Sequence, residues 1–196
     1  RKIPLLIDTD PGVDDALAIL MAFNDADHEV VGLTIAAGNV GLGHTVRNAL
    51  KLCAVAGRDD VPVFAGTPGP LLHPAPDAAD VHGNDGFGDI GYAPSPRMPE
   101  AEHAALAILR LSHAHAGRLL LVALGPLTNL ALALKLDPDL PQRVARLVVM
   151  GGAVTAHGNI TPAAEFNVAF DPEAAHIVFS AFPHADVADW EATLAH

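Results

Sequence analysis

Apolar segments of strand length alternate with segments of helical period along most of the chain, and this alternation limits the folds that the chain can adopt. β-branched and aliphatic runs predict strands, whereas apolar residues three or four apart predict helices. The predicted strands are Ile3–Ile7, Val30–Ala37, Val61–Ala65, Leu119–Leu124, Val144–Met150 and Ala185–Trp190. The predicted helices are Asp14–Phe23, His44–Ala56, Glu100–His115, Thr128–Leu136 and Pro172–Ala181. We therefore expect an α/β fold, with an open, mainly parallel sheet and helices on both faces.

The carboxyl ends of the predicted strands are the places to look for function, because ligands of open parallel sheets bind beyond those ends. This rule selects the segments Asp8–Asp15, Gly38–Val40, Gly125–Asn129 and Gly151–Asn167. A long predicted loop, from Gly66 to about Pro99, is also expected to be functional or mobile.

Four carboxylates, Asp8, Asp10, Asp14 and Asp15, follow the first predicted strand within eight positions. Helix capping and the helix dipole explain one or both of the last two, which begin a predicted helix, but not all four. Crowded carboxylates raise one another's pKa values, and a bound cation relieves the repulsion. Oxygen ligands favour Ca²⁺ or Mg²⁺. A zinc site or an EF-hand fits the local pattern poorly.

Charge and composition limit the classes of partner that the chain is expected to bind. The net charge is −12 with only 11 Lys and Arg residues, which disfavours a nucleic-acid polymer or an anionic membrane surface. The longest apolar stretch, Leu119–Leu136, contains Gly125 and Pro126 and predicts a strand, a turn and a helix rather than a membrane span. Cys53 is the one cysteine, as expected of a reducing compartment. We expect one domain, 1–196, whose ends suggest a trimmed or C-terminally incomplete protein.

Several motifs together resemble the inosine-uridine-preferring nucleoside hydrolase family. The first is DTDPGVDDA at Asp8–Ala16, and the last is GNITPAAEFNVAFDPEAA at Gly158–Ala175. Between them lie AAGNV at Ala36–Val40, HGNDGFG at His82–Gly88, GPLTN at Gly125–Asn129 and MGGAV at Met150–Val154. The resemblance runs in family order from Ile3 to about Ile177. It implies a Rossmann-like nucleoside hydrolase fold and hydrolysis of the N-glycosidic bond of ribonucleosides to free base and ribose.

The resemblance also implies roles for individual residues. Asp10, Asp15 and the backbone carbonyl of Thr128 would ligate Ca²⁺. Asp14, Asn39 and Asn167 would hold the ribose 2′ and 3′ hydroxyls. Asn159 and Glu165 would hold the 5′ hydroxyl, Met150 would line the pocket, and His82 would lie near the base. A cis-diol suits such a site, because carboxylates and amides pair with hydroxyls and a hard cation ligates them.

Asp10 is the expected general base, which takes a proton from a calcium-bound water that attacks the sugar. Family members continue beyond this stretch with a further Asp for metal and ribose, and often with a His that protonates the leaving base. This chain contains neither segment. The resemblance further implies a homo-oligomer in the cytoplasm with a role in purine or pyrimidine salvage.

Other interpretations stay open at this point. Asn39 and Asn159 are also typical of turns, Thr128 and Asn129 of a helix cap, and His82 of an exposed loop. One alternative function is a calcium- and ribose-binding fragment or pseudoenzyme without catalysis. A more distant alternative is a Mg²⁺-dependent phosphohydrolase of the haloacid-dehalogenase type, in which Asp8 would be the nucleophile and Asp10 the acid/base.

Overall fold

The computed structural model of the chain describes residues 1–75, 84–89, 91, 93–155 and 157–195. Six parallel strands form one sheet in the order β3-β2-β1-β4-β5-β6. The strands are β1 Ile3–Thr9, β2 His28–Ile35, β3 Val63–Ala65, β4 Leu119–Ala123, β5 Val144–Met150 and β6 Asp186–Ala188. This is the strand order of Rossmann-like folds, and it confirms the predicted α/β class.

Helices connect the strands. They are α1 Val13–Asn24, α2 Leu42–Val55, α3 Ala104–Ala114, α4 Thr128–Leu136, α5 Leu140–Arg143, α6 Phe166–Phe170, α7 Pro172–Ala181 and α8 Trp190–Leu194. The predicted bounds of α4, β5 and α7 match the observed ones. The apolar stretch Leu119–Leu136 forms β4 and α4, as predicted. Within the described ranges, no helix has the length and apolar character needed to cross a bilayer.

Some predicted bounds are wrong for local reasons. The helix expected from Glu100 begins at Ala104, because Glu100 N donates to Val63 O and extends beside β3. The ring of His103 then caps α3 by accepting from Ala105 N. The last strand is three residues long, because Asp189 caps α8 and accepts from Ala192 N.

The core has one layer on each face of the sheet. Leu6 points to a layer that contains α3, α4 and α7, whereas Leu5 and Ile7 point to a layer that contains α1 and α2. This alternation follows from the two-residue period of a strand. Helices therefore cover both faces, as predicted.

The strand order reverses between β1 and β4, whose neighbours lie on opposite sides. At such a switch point the connections leave toward opposite faces and open a crevice at the carboxyl ends of the strands. The acidic turn after β1 and the segment after β4 both start at this crevice. The topology thus places two of the predicted site segments side by side.

The different burial of two leucines in α4 predicts how much each contributes to the stability of the fold. Leu130 has no exposed surface and Leu136 is 62% exposed, although both belong to the same helix. Leu130→Ala should lower the free energy of unfolding by about 2–5 kcal/mol because it leaves a cavity. Leu136→Ala is the matched control and should change it by less than about 1 kcal/mol. Urea denaturation followed by circular dichroism measures both, and equal losses would contradict the packing described for α4.

Candidate functional site

Asp10 lies one residue after β1, with its carboxylate enclosed by two glycines. It is 1% exposed. A Cβ built on Gly38 would overlap Asp10 Oδ2, and a Cβ built on Gly125 would overlap Asp10 Oδ1. Gly38 follows β2 and Gly125 follows β4, so the carboxylate lies between the ends of the two strands that flank β1. Only glycine at these two positions leaves room for it.

Asn39 links Asp10 to Asp15. Its backbone N–H donates to Asp10 Oδ2 at 2.7 Å, and its side-chain Nδ2 donates to Asp10 O at 3.0 Å and to Asp15 Oδ2 at 3.2 Å. Asp15, in the first turn of α1, also accepts from Thr9 Oγ1 and from Gly12 N. Hydrogen bonds therefore connect the two ends of the turn from Asp10 to Asp15, and the two carboxylates lie together beside the amide of Asn39.

Burial and mutual repulsion shift the titration of these carboxylates. Burial raises the pKa of Asp10 well above its ordinary value, and the charge of Asp15 raises it further. Burial, followed by the charge of the exposed Asp14, raises the pKa of Asp15 to about 7. Among the described residues, no Lys, Arg or His pairs with either carboxylate. No cationic side chain of the described residues therefore compensates the negative charge of this pair.

The arrangement fits a hard cation in part. Asp10 Oδ1 is buried and has no hydrogen-bond partner, and Asp15 lies close to it. Carboxylate oxygens without a protein cation are the ligands that Ca²⁺ and Mg²⁺ prefer. In the described part of the chain, however, no group of three or more His, Cys, Asp or Glu side chains is placed to hold a metal ion. Two carboxylates supply only some of the oxygens that Ca²⁺ takes.

Asp8 is buried beneath the pair formed by Asp10 and Asp15. It is paired in register with Thr34 on β2, and its Oδ2 accepts from Thr34 Oγ1 at 2.7 Å and from Asn129 Nδ2 at 3.1 Å. Burial raises the pKa of Asp8 to about 7. Asn129 Oδ1 in turn accepts from Thr67 N. Asp8 thus holds the ends of β1 and β2 and the start of α4 together without reaching the surface.

The interpretation of Thr128 and Asn129 as helix caps is wrong. Leu127 is the N-cap of α4, and no side chain caps the helix there. Asn129 instead bridges Asp8 and Thr67, and Thr128 Oγ1 donates to Asp171 Oδ2 at 2.7 Å. Both residues are committed to buried contacts, Asn129 with the end of β1 and Thr128 with the N-cap of α7.

A second polar group lies beyond β4 and β5. Glu165 caps α6, because its oxygens accept from the backbone N–H groups of Asn167 and Val168, and it also accepts from Gly152 N. Asn167 Nδ2 donates to the carbonyls of Leu124 and Met150. Asn159 Oδ1 accepts from Phe166 N at 2.8 Å. These contacts place Asn159, Glu165, Asn167 and Met150 in one cluster.

The two groups meet at the end of β4. Leu124 N donates to Asp8 O beside the acidic turn, while Leu124 O accepts from Asn167 in the second group. Asp14 stays exposed at the start of α1, beside Asp15. His82 lies outside the described residues. The structure therefore brings the other predicted site residues to the carboxyl edge of one sheet.

Four residues that support the site were given no role by the sequence reasoning. Asp171 is buried beside Thr128, and Gly38 and Gly125 enclose Asp10. The fourth, Asn48 on α2, donates to Pro11 O and to Asp85 O and so fastens segment 84–89 to the acidic turn. Asp171 followed by Pro172 predicts a helix cap, and nothing in the sequence alone indicates the contact with Thr128.

Comparisons with known proteins agree with this geometry. A family model described as inosine-uridine preferring nucleoside hydrolase matches residues 5–196. Uridine nucleosidase 1 of Arabidopsis thaliana is 47% identical over 177 residues, which are 90% of this chain and 53% of that protein. Non-specific ribonucleoside hydrolase RihC of Klebsiella pneumoniae is 46% identical over 91% of this chain and 58% of its own length. The chain thus spans about half the length of these curated relatives.

Solved structures give the same result. A plant nucleoside hydrolase superposes with a TM-score of 0.90 at 38% identity, and the match covers 97% of this chain and 61% of that one. A purine-preferring ribonucleoside hydrolase from Gardnerella vaginalis superposes with a TM-score of 0.89 at 36% identity, over 95% of this chain and 60% of that one.

The glycine enclosure predicts a sharp difference between two neighbouring substitutions. Gly38→Ala places a methyl group on the Asp10 carboxylate and should lower the free energy of unfolding by about 1–3 kcal/mol. Gly43→Ala, in α2, meets only the end of the Arg47 side chain and should be neutral or stabilising by up to about 1 kcal/mol. Thermal unfolding of both variants measures the difference, and an unaffected Gly38→Ala would show that the enclosure is not tight.

Proposed function

The chain belongs to the inosine-uridine preferring nucleoside hydrolase family, and we propose that it forms the cation- and ribose-binding part of an enzyme that hydrolyses the N-glycosidic bond of ribonucleosides. One observation carries the proposal. Asp10 is fixed between two glycines at the switch point of the sheet, beside Asp15, with one buried oxygen unpartnered. Such a group is suited to bind a hard cation and to accept a proton.

Asp10, Asp15 and the backbone carbonyl of Thr128 would hold Ca²⁺ in this proposal. The bound ion would supply neutralisation of the two carboxylates and a lower pKa for a water molecule at the site. Asp10 Oδ1, the oxygen without a partner, would accept the proton of the water that attacks the sugar. Asn39 holds the other oxygen of Asp10 at 2.7 Å, so Oδ1 keeps a fixed direction during that step.

Asn39 and Asn167 offer the ribose the same chemistry. Each uses its Nδ2 group on the protein, Asn39 toward Asp10 and Asp15 and Asn167 toward Leu124 and Met150. Neither Oδ1 atom accepts a hydrogen bond from the described part of the chain, so each can accept one from a sugar hydroxyl. Together with the exposed Asp14, they would bind the 2′ and 3′ hydroxyls.

Glu165 and Asn159 would bind the 5′ hydroxyl beside Met150. Three backbone N–H groups fix both oxygens of the buried Glu165 and leave one acceptor position, on Oε1, for a hydroxyl donor. Asn159 Oδ1 accepts from Phe166 N, which leaves its Nδ2 group for a substrate oxygen. We keep His82 as a proposed contact to the base, on the strength of the resemblance alone.

Binding without turnover is a second candidate function. Among the described residues, no group of three or more His, Cys, Asp or Glu side chains is placed to hold a metal ion, which leaves the proposed site with two carboxylates. The haloacid-dehalogenase alternative loses its support, because its nucleophile would be Asp8. Asp8 has no exposed surface and lies beneath the site, bound to Thr34 and Asn129.

The substrate is proposed only as a ribonucleoside. The names of the relatives divide among uridine, non-specific and purine-preferring activities, while each match covers 90% or more of this chain. The stretch that they share is the one that carries the cation and sugar contacts. We further propose a homo-oligomer in the cytoplasm that serves purine or pyrimidine salvage. The resemblance supports these features, and the single buried cysteine suits a reducing compartment.

Asp10→Asn tests the catalytic proposal. The amide can still accept from Asn39 N, so the fold should persist, but it cannot take a proton from water. Release of free ribose from inosine and uridine should fall at least about a hundredfold at saturating Ca²⁺. Asp27→Asn changes an exposed carboxylate at the opposite edge of the sheet and should leave release unchanged. Near-normal turnover by Asp10→Asn would refute its role.

The same assay separates the candidate functions. A chelator of Ca²⁺ should abolish ribose release by the wild-type chain, and added Ca²⁺ should restore it. Ribose binding by calorimetry without any release of base would favour the binding function, and phosphate release from a phosphomonoester would favour the phosphohydrolase.

Discrimination against deoxyribose tests the diol contacts. Without the 2′ hydroxyl, the oxygens placed for it remain buried without a partner, which costs free energy in the transition state. The kcat/KM for 2′-deoxyuridine should therefore be at least about a hundredfold lower than for uridine. Comparable values for the two nucleosides would contradict the proposed roles of Asn39 and Asn167.

A further inference from the structure

Asp171 is a fully buried carboxylate that touches three separate segments. It is the N-cap of α7, where its Oδ1 accepts from Ala174 N at 3.0 Å. Its other oxygen, Oδ2, faces away from that helix. It accepts from Leu71 N at 2.9 Å and from Thr128 Oγ1 at 2.7 Å. Asp171 thus joins the start of α7, the segment after β3 and the first residue of α4.

Helix capping alone does not explain these contacts. A cap needs one side-chain oxygen, and Asp189 shows this at α8, where Oδ1 accepts from Ala192 N. Asp189 is only half-buried, whereas Asp171 has no exposed surface. A buried carboxylate is disfavoured unless hydrogen bonds satisfy it, and two of the three that satisfy Asp171 come from outside its own helix. The second oxygen therefore has a separate task.

That task concerns Thr128, whose backbone carbonyl is one of the proposed cation ligands. Thr128 comes two residues after Pro126, and Pro126 lies with Asp10 against Gly38. A β-branched side chain has few rotamers, so a hydrogen bond to its hydroxyl also restrains the backbone that carries it. Asn129 is fixed independently through Asp8 and Thr67. The hydroxyl of Thr128 is therefore the remaining side-chain group that can restrain the peptide between Thr128 and Asn129.

We propose that Asp171 is a positioning residue that, through its hydrogen bond with Thr128 Oγ1, holds the Thr128 carbonyl at the cation site. The inference rests on the proposed function and deepens its metal site. Asp171 itself does not touch the cation or the substrate. Residues that hold metal ligands in place affect metal affinity, and their loss typically weakens binding about tenfold to a hundredfold.

Thr128→Val tests the inference directly, because it removes the hydroxyl and keeps both the shape of the side chain and the backbone carbonyl. The Kd for Ca²⁺, measured by calorimetry on the 196-residue chain, should rise about tenfold or more. Thr128→Ser restores the hydroxyl and should recover most of the lost affinity. A merely structural role would lower the unfolding temperature without Ca²⁺ and leave the Kd of the folded protein unchanged.

Asp171→Ser approaches the same bond from the other side. Serine is as good an N-cap as aspartate, but it has a single side-chain oxygen, so no acceptor remains for Thr128 Oγ1 once the cap is formed. Its Kd for Ca²⁺ should rise like that of Thr128→Val, and the double variant should be little worse than either single one, because both remove one interaction. Asp189→Ser makes the same change at the N-cap of α8 and should leave the Kd unchanged.

The outcomes separate the inference from the function on which it rests. Wild-type affinity in Thr128→Val, or fully additive losses in the double variant, would overturn the positioning role and leave the proposed cation site intact. A wild-type chain that binds no Ca²⁺ would overturn both. If Asp171→Ser does not fold, Thr128→Val and Thr128→Ser still decide the question.

Discussion

The burial of three carboxylates, Asp8, Asp10 and Asp15, at the carboxyl edge of the sheet is the constraint on which the rest of the site depends. Burial disfavours a negative charge, and it raises the pKa of each of these groups. The protein stabilises these carboxylates with neutral hydrogen-bond donors rather than with cationic side chains. Hydroxyls of Thr9 and Thr34 and amides of Asn39 and Asn129 take most of the carboxylate oxygens. Asp8 Oδ1 and Asp10 Oδ1 remain unpartnered, and of the two we propose Asp10 Oδ1, which lies beside Asp15, as the place for a ligand.

Neutral donors serve this edge better than Lys or Arg would. A basic side chain would neutralise the pair permanently and occupy the position that a cation needs. Hydrogen bonds from amides and hydroxyls hold the oxygens in place yet leave their charge available. The glycines follow from the same demand. Gly38 and Gly125 let the strand ends close on Asp10 until no side chain fits between them, which fixes the carboxylate without any opposite charge.

The sequence predicts the framework of the fold well and the support of the site poorly, for physical reasons. Strand and helix periods are local properties, so α4, β5 and α7 are predicted to the residue, and the acidic turn is visible as four carboxylates after β1. Short helices such as α6, with five residues, contain little more than one turn, which is too short for an apolar pattern to repeat. The bond between Asp171 and Thr128 joins residues 43 positions apart, and Asn129 reaches Asp8 across 121 positions. Such partners are chosen by the folded sheet, and nothing local identifies them. Gly38 and Gly125 suggest turns in the sequence, whereas in the structure they are required by the volume of Asp10.

Because the proposed cation ligands and the amide that holds them come from three different strand ends, the site exists only when the sheet is formed. Asp10 follows β1, Asn39 follows β2 and Thr128 follows β4, and the unfolded chain does not bring them together. An ion that binds the folded state alone stabilises that state by an amount that grows with the logarithm of its concentration divided by its Kd. The raised pKa values of Asp10 and Asp15 have the same origin, since they measure how poorly the folded protein without an ion tolerates the two charges. Cation binding and the stability of this edge of the sheet are therefore two consequences of a single arrangement of buried carboxylates.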